Sequence, residues 1–305
     1  MERSESPANV LVELSDNLAN LVEGIQPSIV RVSGRPRYGA TGIVWSADGF
    51  IVTAHHVVDR DEDITVGLSD GRELAATLVG RDPGTDLALL KVDATDLTPA
   101  TFATAPARIG HLVLAIGNPH GDQAMASLGV VSAVGNTLRS WRGGSIEGVI
   151  RSDVTLYPGF SGGPLLGANG DVIGLNTSNL ARGLAVAIPH AVLARVVEAL
   201  SSGRGTKRGY LGVATQPVRL PDGLRAAISL NQETGLLIVN VEPESPAESA
   251  GLMLGDTLVG VGGRETSEIS GLQDALGPGS AGSELVAKVV RAGQLTDVKI
   301  TIGER

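Results

Sequence analysis

Ser161 lies among Gly159, Gly162 and Gly163 in the order Gly159-Phe160-Ser161-Gly162-Gly163-Pro164, just ahead of an apolar run. A serine hydroxyl attacks an acyl carbon only when a base removes its proton and N–H donors meet the oxygen that turns negative. Glycines beside the serine serve the second need, because residues without Cβ adopt the backbone angles that turn N–H groups inward. Gly159 and Ser161 are therefore the candidate oxyanion donors. Taken alone, an inert Ser-Gly-Gly turn fits these letters equally well.

A base and a group to orient it stand upstream. Phe50-Ile51-Val52-Thr53-Ala54-His55-His56-Val57-Val58 is an apolar run entering two histidines. An imidazole base needs a rigid strand end and a carboxylate on its other ring nitrogen. Neighbours on an extended chain point to opposite faces, so one of His55 and His56 is expected to enter a site. His111, His120 and His190 have no comparable context. Asp86 opens the apolar run Leu87-Ala88-Leu89-Leu90 and is the candidate orienter, whereas Asp82, beside Pro83 and Gly84, reads as turn chemistry. The segment from Gly159 to Gly163 also fits Gly-x-Ser-x-Gly, the elbow of α/β-hydrolases, in which acid and histidine follow the serine. That order leaves Asp171 and His190, without a strand-turn-helix context, and the upstream pair fits better.

Such side chains need a scaffold. Hydrophobic residues make up 42% of the 305 and charged ones 19%, the balance of a folded chain. Aromatics are 3% against 41 glycines, so cores of Val, Leu, Ile and Ala with many tight turns are expected, which favours β structure. Leu11, Leu14, Leu18, Leu21 and Ile25 mark one face of a helix that Pro27 should end, within an N-terminal segment 1–27. Residues 28–200 then carry strands near 29–32, 42–45, 51–54, 64–68, 74–79 and 87–92, and again near 112–116, 129–134, 149–154, 164–166, 172–176 and 184–188, before a helix at 191–200. Two such groups with no helices between them predict a mainly β fold of two antiparallel six-stranded barrels. The small, polar residues 201–207 read as a linker, and 208–305 as a small α+β domain.

Composition also excludes. A net charge of −9 argues against a broad nucleic-acid surface. The acidic run at 59–63 reads as a solvated loop. Without cysteine there is no disulfide framework, thiolate nucleophile or Cys-ligated metal. No apolar run reaches the roughly 18 residues of a membrane-spanning helix, and the polar N-terminus lacks a secretory signal's order, so the chain as given reads as cytoplasmic.

The order His56, Asp86, Ser161 is that of the chymotrypsin fold, and the surrounding words resemble the HtrA/Deg family of serine proteases. Thr53-Ala54-His55-His56-Val57-Val58 resembles its histidine segment, Gly84-Thr85-Asp86-Leu87-Ala88-Leu89-Leu90 its aspartate segment, and Gly159-Phe160-Ser161-Gly162-Gly163-Pro164-Leu165 its serine segment. Ala115-Ile116-Gly117-Asn118-Pro119 and Ala187-Ile188-Pro189 are similar to further family stretches. Arg208-Gly209-Tyr210-Leu211-Gly212-Val213, followed by Ser245-Pro246-Ala247 and Gly255-Asp256, resembles a family PDZ domain.

This resemblance implies a chymotrypsin-like serine endopeptidase that cleaves unfolded or damaged proteins through an acyl-enzyme, without metal or organic cofactor. Ser161 would be nucleophile, His56 base and then acid, Asp86 the orienter, and Gly159 and Ser161 the oxyanion donors. Leu156 would line the primary specificity pocket, favouring small or medium aliphatic residues, although a plain core role fits it as well. Tyr210, Leu211, Gly212 and Val213 would bind a peptide C-terminus, with Leu211, Val213, Leu272 and Leu276 lining its side-chain pocket or simply packing the core. A homotrimer and, if a signal was removed, a periplasmic or extracytoplasmic location are further implications, though residues 1 to 37 hold none of the aromatics that help relatives trimerise. Phe160 and His55 stand where members commonly carry Asn. Phe160 bears on the oxyanion loop, so a catalytically silent, chaperone-like peptide binder is the alternative reading.

Overall fold

Short β-branched runs separated by turn residues form strands whose inner faces must be covered, and closure into a barrel covers them while leaving no edge. The computed structural model describes residues 7–35, 38–139, 145–180, 184–202, 209–277 and 280–304. The chain divides into two compact units, Met1–Gly205 and Thr206–Arg305. Most of the expected linker (203–207), Arg208 and the first six residues lie outside the described residues.

In the first unit β1 (Ile29–Ser33), β2 (Ala40–Val44), β3 (Phe50–Ala54), β4 (Ile64–Gly67), β5 (Glu73–Asp82) and β6 (Leu87–Val92) close in the order β1-β2-β3-β6-β5-β4. The second barrel holds β7 (Leu112–Gly117), β8 (Met125–Arg139), β9 (Ser145–Ser152), β10 (Pro164–Gly167), β11 (Val172–Thr177) and β12 (Ala185–Pro189), in the order β10-β11-β12-β9-β8-β7. Two six-stranded antiparallel barrels are thus present, as the strand pattern predicts. β8 runs well beyond the expected 129–134, because register shifts against β9 let one long strand bend around the barrel. The core is aliphatic, with Ile29, Ile43, Ile51, Leu87, Leu89 and Ile116 fully buried.

α1 (Pro7–Ile25) gives way to a 3-10 turn at Gln26–Ser28, where Pro27 was expected to stop it. Leu18, Leu21 and Val22 pack on the core, but Leu11 and Leu14 are 68% and 42% exposed, so only the second half of the predicted apolar face is covered. α2 (His190–Ser201) lays Val192, Leu193, Val196, Val197 and Leu200 on the same core. No helix among the described residues is long and apolar enough to cross a membrane.

The second unit comprises β13 (Gly209–Tyr210), β14 (Val213–Arg219), α3 (Asp222–Ala227), β15 (Thr234–Val241), α4 (Pro246–Ser249), β16 (Thr257–Val261), β17 (Arg264–Glu265), α5 (Ile269–Ala275), β18 (Glu284–Arg291), β19 (Gln294–Thr301) and β20 (Gly303–Glu304). Its sheet runs β14-β15-β16-β18-β19, with β17 beside β16 and β13 paired to β20. α3 was not foreseen. Its Pro221-Asp222-Gly223 start spells a turn, and tertiary packing of Leu224 beside Leu220, Val259 and Val290 overrides that local signal.

A partly exposed arginine pairs with a buried aspartate in this unit. Asp256 is 2% exposed and takes both arms of Arg291, Nε at 2.8 Å and Nη2 at 2.7 Å, plus the Met253 N–H at 2.9 Å. Burial pushes its pKa up, but the Arg291 fork and the Met253 N–H outweigh that and hold the carboxyl below its ordinary range. A carboxylate with a depressed folded pKa stabilises the fold above its unfolded value of about 3.9 and stops doing so as pH falls through the folded value. Asp256→Asn is therefore expected to cost about 2 kcal/mol at pH 7 and progressively less below pH 4. Calorimetry of the full chain at the two pH values reads this as a mutant gap that narrows in acid.

Candidate active site

Register brings the first two candidates together. Ala54 at the end of β3 pairs with Leu87 at the start of β6, so the residues beyond those ends must meet. His55–Val57 is a 3-10 turn, so the alternation expected of an extended chain does not apply there. The turn delivers His56 to Asp86, while His55 is buried beside it. Asp86 sits at φ +59°, a left-handed conformation that Asp tolerates better than most residues. Its carbonyl accepts the His55 N–H at 2.9 Å, and its Oδ1 accepts the His56 N–H at 3.0 Å. Oδ2 lies 2.8 Å from His56 Nδ1 and accepts the Thr177 hydroxyl at 2.5 Å. Asp86 is 1% exposed, and these bonds are what make a buried carboxylate tolerable. A carboxylate against Nδ1 keeps the ring proton there and leaves Nε2 as an acceptor, the tautomer a general base needs.

The serine turn is fastened to both barrels. Ser161's carbonyl accepts the Thr41 N–H at 3.2 Å, and the Thr41 hydroxyl donates to the Gly159 carbonyl at 2.7 Å. Gly162 donates to Asn176 O at 2.9 Å. Gly162 has φ +89°, and a Cβ there would stand 2.0 Å from Thr41 O and 3.1 Å from Ala54 N. The residue after Ser161 thus rests on the last residue of β3, just ahead of the histidines. The N–H groups of Phe160, Gly162 and Gly163 are bonded within the protein, whereas those of Gly159 and Ser161 have no acceptor among the described residues. With Gly159 at φ +89°, this leaves the two expected oxyanion donors available. Ser161 Oγ lies 3.1 Å from Ser178 Oγ and accepts the Ser178 N–H at 3.3 Å. Among the described residues its hydrogen bonds run to Ser178 and not to His56.

Alternative partners lie elsewhere. His190 stacks on Phe102 at 4.8 Å with Nδ1 3.2 Å from Ala103 O, and Asp171 binds the Asn169 side chain. Neither hydrogen-bonds Ser161. Asp82 bonds the Gly84 N–H and the Thr85 hydroxyl, the turn role read from its neighbours. The acidic run from Asp59 to Asp63 is exposed, with Asp61 paired to Arg81.

In the second unit the carbonyls of Leu211 and Gly212 accept the N–H groups of Ala247 and Glu242, and the Tyr210 hydroxyl donates to the Glu242 carboxylate. β14, which follows this loop, is an edge strand and packs beside α5. Leu211 and Leu272 are buried in the core, while Val213 and Leu276 are only partly covered. Of the apolar residues proposed for a pocket, the first two are core and the last two remain accessible.

Residues 40–175 match the trypsin-like peptidase domain family and residues 209–302 the PDZ domain family. A solved HtrA-type protease, AlgW with a tripeptide, shares 31% identity with a TM-score of 0.68, over 94% of this chain and 97% of its own. The chain belongs to the HtrA family of serine proteases. The serine endoprotease from Yersinia pestis is similar at 30% identity and TM-score 0.71, over 94% of this chain and 97% of that one. A probable periplasmic serine endoprotease, DegP-like, from Chlamydia muridarum is 39% identical over 279 residues, covering 89% of this chain and 55% of the relative. Its counterpart from Halomonas elongata is 37% identical over 87% of this chain and 56% of the relative. This HtrA chain thus spans about half the length of the curated relatives it matches.

Within this HtrA chain, Phe160 takes up a role opposite to that of a polar residue. It is fully buried, edge-on to Tyr157 at a centroid distance of 5.4 Å, and it fills the space beside Gly117, where a Cβ would lie 2.4 Å from its ring. Leu156 is half-buried against the same cluster. Sequence reasoning missed Thr41, Thr177 and Ser178. Thr177 and Ser178 follow the expected strand directly, but no spacing rule marks which residues at a strand end turn toward an acid or a nucleophile.

Proposed function

We infer that this HtrA-family chain is a serine endopeptidase working through an acyl-enzyme. The observation that carries the reading is the buried Asp86 gripping His56 at both its N–H and its Nδ1, at the strand end on which the Ser161 turn rests. In this scheme His56 Nε2 takes the Ser161 proton as Oγ bonds the peptide carbonyl carbon, and the oxyanion falls to the N–H groups of Gly159 and Ser161. The imidazolium then protonates the leaving amine as the C–N bond breaks, and water, deprotonated by the same ring, releases the acid. No metal or organic cofactor enters these steps.

The protease domain is assigned to 28–200 and the PDZ domain to 208–305, joined by 201–207. The Tyr210-Leu211-Gly212-Val213 loop would take a peptide carboxylate while the edge of β14 pairs with the peptide backbone, the strand-addition mode of recognition. Unfolded proteins are the proposed substrates and a homotrimer the proposed assembly, both as the family resemblance implies, and the periplasm or its equivalent is the proposed location, following the relatives' names. Leu156, uncharged and half-buried, points to aliphatic residues before the cut.

A fluorophosphonate probe tests the chemistry and a peptide-library digest tests the pocket. The expected results are a single phosphonyl adduct mapped to Ser161 and cleavage after Val, Ala or Leu. An adduct mapped elsewhere would remove Ser161 from its role, and a preference for Arg or Lys would remove Leu156 from the pocket.

A further inference from the structure

We propose that Ser178 is a positioning residue whose hydroxyl holds Ser161 in a resting orientation that substrate must undo. The proposal rests on Ser161 being the nucleophile. A serine hydroxyl has one proton and two lone pairs. Ser161 Oγ already accepts the Ser178 N–H at 3.3 Å and shares a second bond with Ser178 Oγ at 3.1 Å. If Ser161 donates in that second bond, its proton points at Ser178 and not at an imidazole. If Ser178 donates, Ser161 Oγ accepts two hydrogen bonds, which draw density from its lone pairs and lower its nucleophilicity. Either direction lowers the reactivity of Oγ.

Placement fits the same role. Ser161 is 6% exposed while Ser178 is exposed, so the contact lies on the outer side of the nucleophile, where a substrate arrives. Ser178 is held there by β11, whose Asn176 exchanges backbone bonds with Gly162 and Gly163 at 2.9 and 2.8 Å. Its neighbour Thr177 bonds Asp86. Consecutive residues at one strand end therefore contact the orienting acid and the nucleophile. Rotating the Ser178 side chain breaks the hydroxyl contact while leaving its backbone N–H bond to Ser161 and the Thr177 bond to Asp86 in place, which makes the hydroxyl contact reversible.

Fluorophosphonate labelling of the full chain, with the adduct mapped by mass spectrometry, separates the outcomes. Ser178→Ala is expected to raise the Ser161 labelling rate about three- to tenfold, the worth of one lost hydrogen bond. Peptide kcat should rise with KM little changed, and Ser178→Thr, which keeps a hydroxyl, should return to the wild-type rate. An unchanged or slower rate in Ser178→Ala overturns the proposal, as does a fast rate in Ser178→Thr. In both of those cases wild-type labelling at Ser161, abolished in His56→Ala, leaves the nucleophile assignment standing. If neither wild type nor Ser178→Ala is labelled at Ser161, the assignment fails and this proposal with it.

Discussion

Asp86→Asn is expected to lower kcat on a peptide substrate about 10⁴-fold while the protein stays folded, and Ser161→Ala to abolish turnover to a similar or greater degree. In the proposed mechanism the serine variant loses the atom that forms the acyl bond, so what would persist is binding and the proposed oxyanion donors. Asp86→Asn acts through the ring beside it. Asp86 Oδ1 accepts the His56 N–H, and Oδ2 serves both His56 Nδ1 and the Thr177 hydroxyl. An amide can place its oxygen on one of these sides only. With the oxygen toward the His56 N–H, an NH₂ group faces Nδ1 and shifts the ring proton to Nε2, removing the base. With the oxygen toward Nδ1, the NH₂ group faces a backbone N–H and a buried donor goes unmet. Casein digestion with circular dichroism on each variant checks the claim, and an Asp86→Asn enzyme within tenfold of wild type would end it.

Much of this arrangement was legible because it is carried by strand ends. Asp86 abuts the run Leu87-Ala88-Leu89-Leu90 and His56 follows Ile51-Val52-Thr53-Ala54, and once those runs are strands of one barrel, pairing at Ala54 and Leu87 makes their contact obligatory. Glycine at 159 and 162 was legible for the same kind of reason, since a close approach and a positive φ leave no room for Cβ. Other features carry no local signature. The bond from Thr41 to Gly159 spans 118 residues of chain and that from Thr177 to Asp86 spans 91, and periodicity says nothing about which side chains meet across such separations. The alternation rule pointed to a single histidine for an incorrect reason, because a 3-10 turn replaces the extended chain it assumes. The exposed half of α1 marks the same boundary from another side: spacing identifies an apolar face but not what covers it.

Phe160→Ala is expected to destabilise the protease unit by about 3 to 5 kcal/mol, lowering its thermal midpoint by roughly 10 °C, and to depress kcat beyond what lost stability explains. The ring is fully buried in a cluster with Val113, Ala115, Val131, Ile150, Val154 and Leu165, and it fits against Gly117 so closely that a single methyl there would overlap it. Truncation leaves a cavity in a barrel whose backbone is pinned by its ladders and collapses poorly. The catalytic cost follows from position. Phe160 separates the two proposed oxyanion donors, its N–H bonds Tyr157 O and its carbonyl accepts Gly163 N–H, both at 3.0 Å, so the ring anchors the turn that carries Gly159 and Ser161. Phe160→Leu, which keeps most of the volume, should recover most of the stability and turnover. If Phe160→Asn proves as stable and as active as wild type, the ring is not the anchor and the bonds from Thr41 to Gly159 and Ser161 hold the turn unaided.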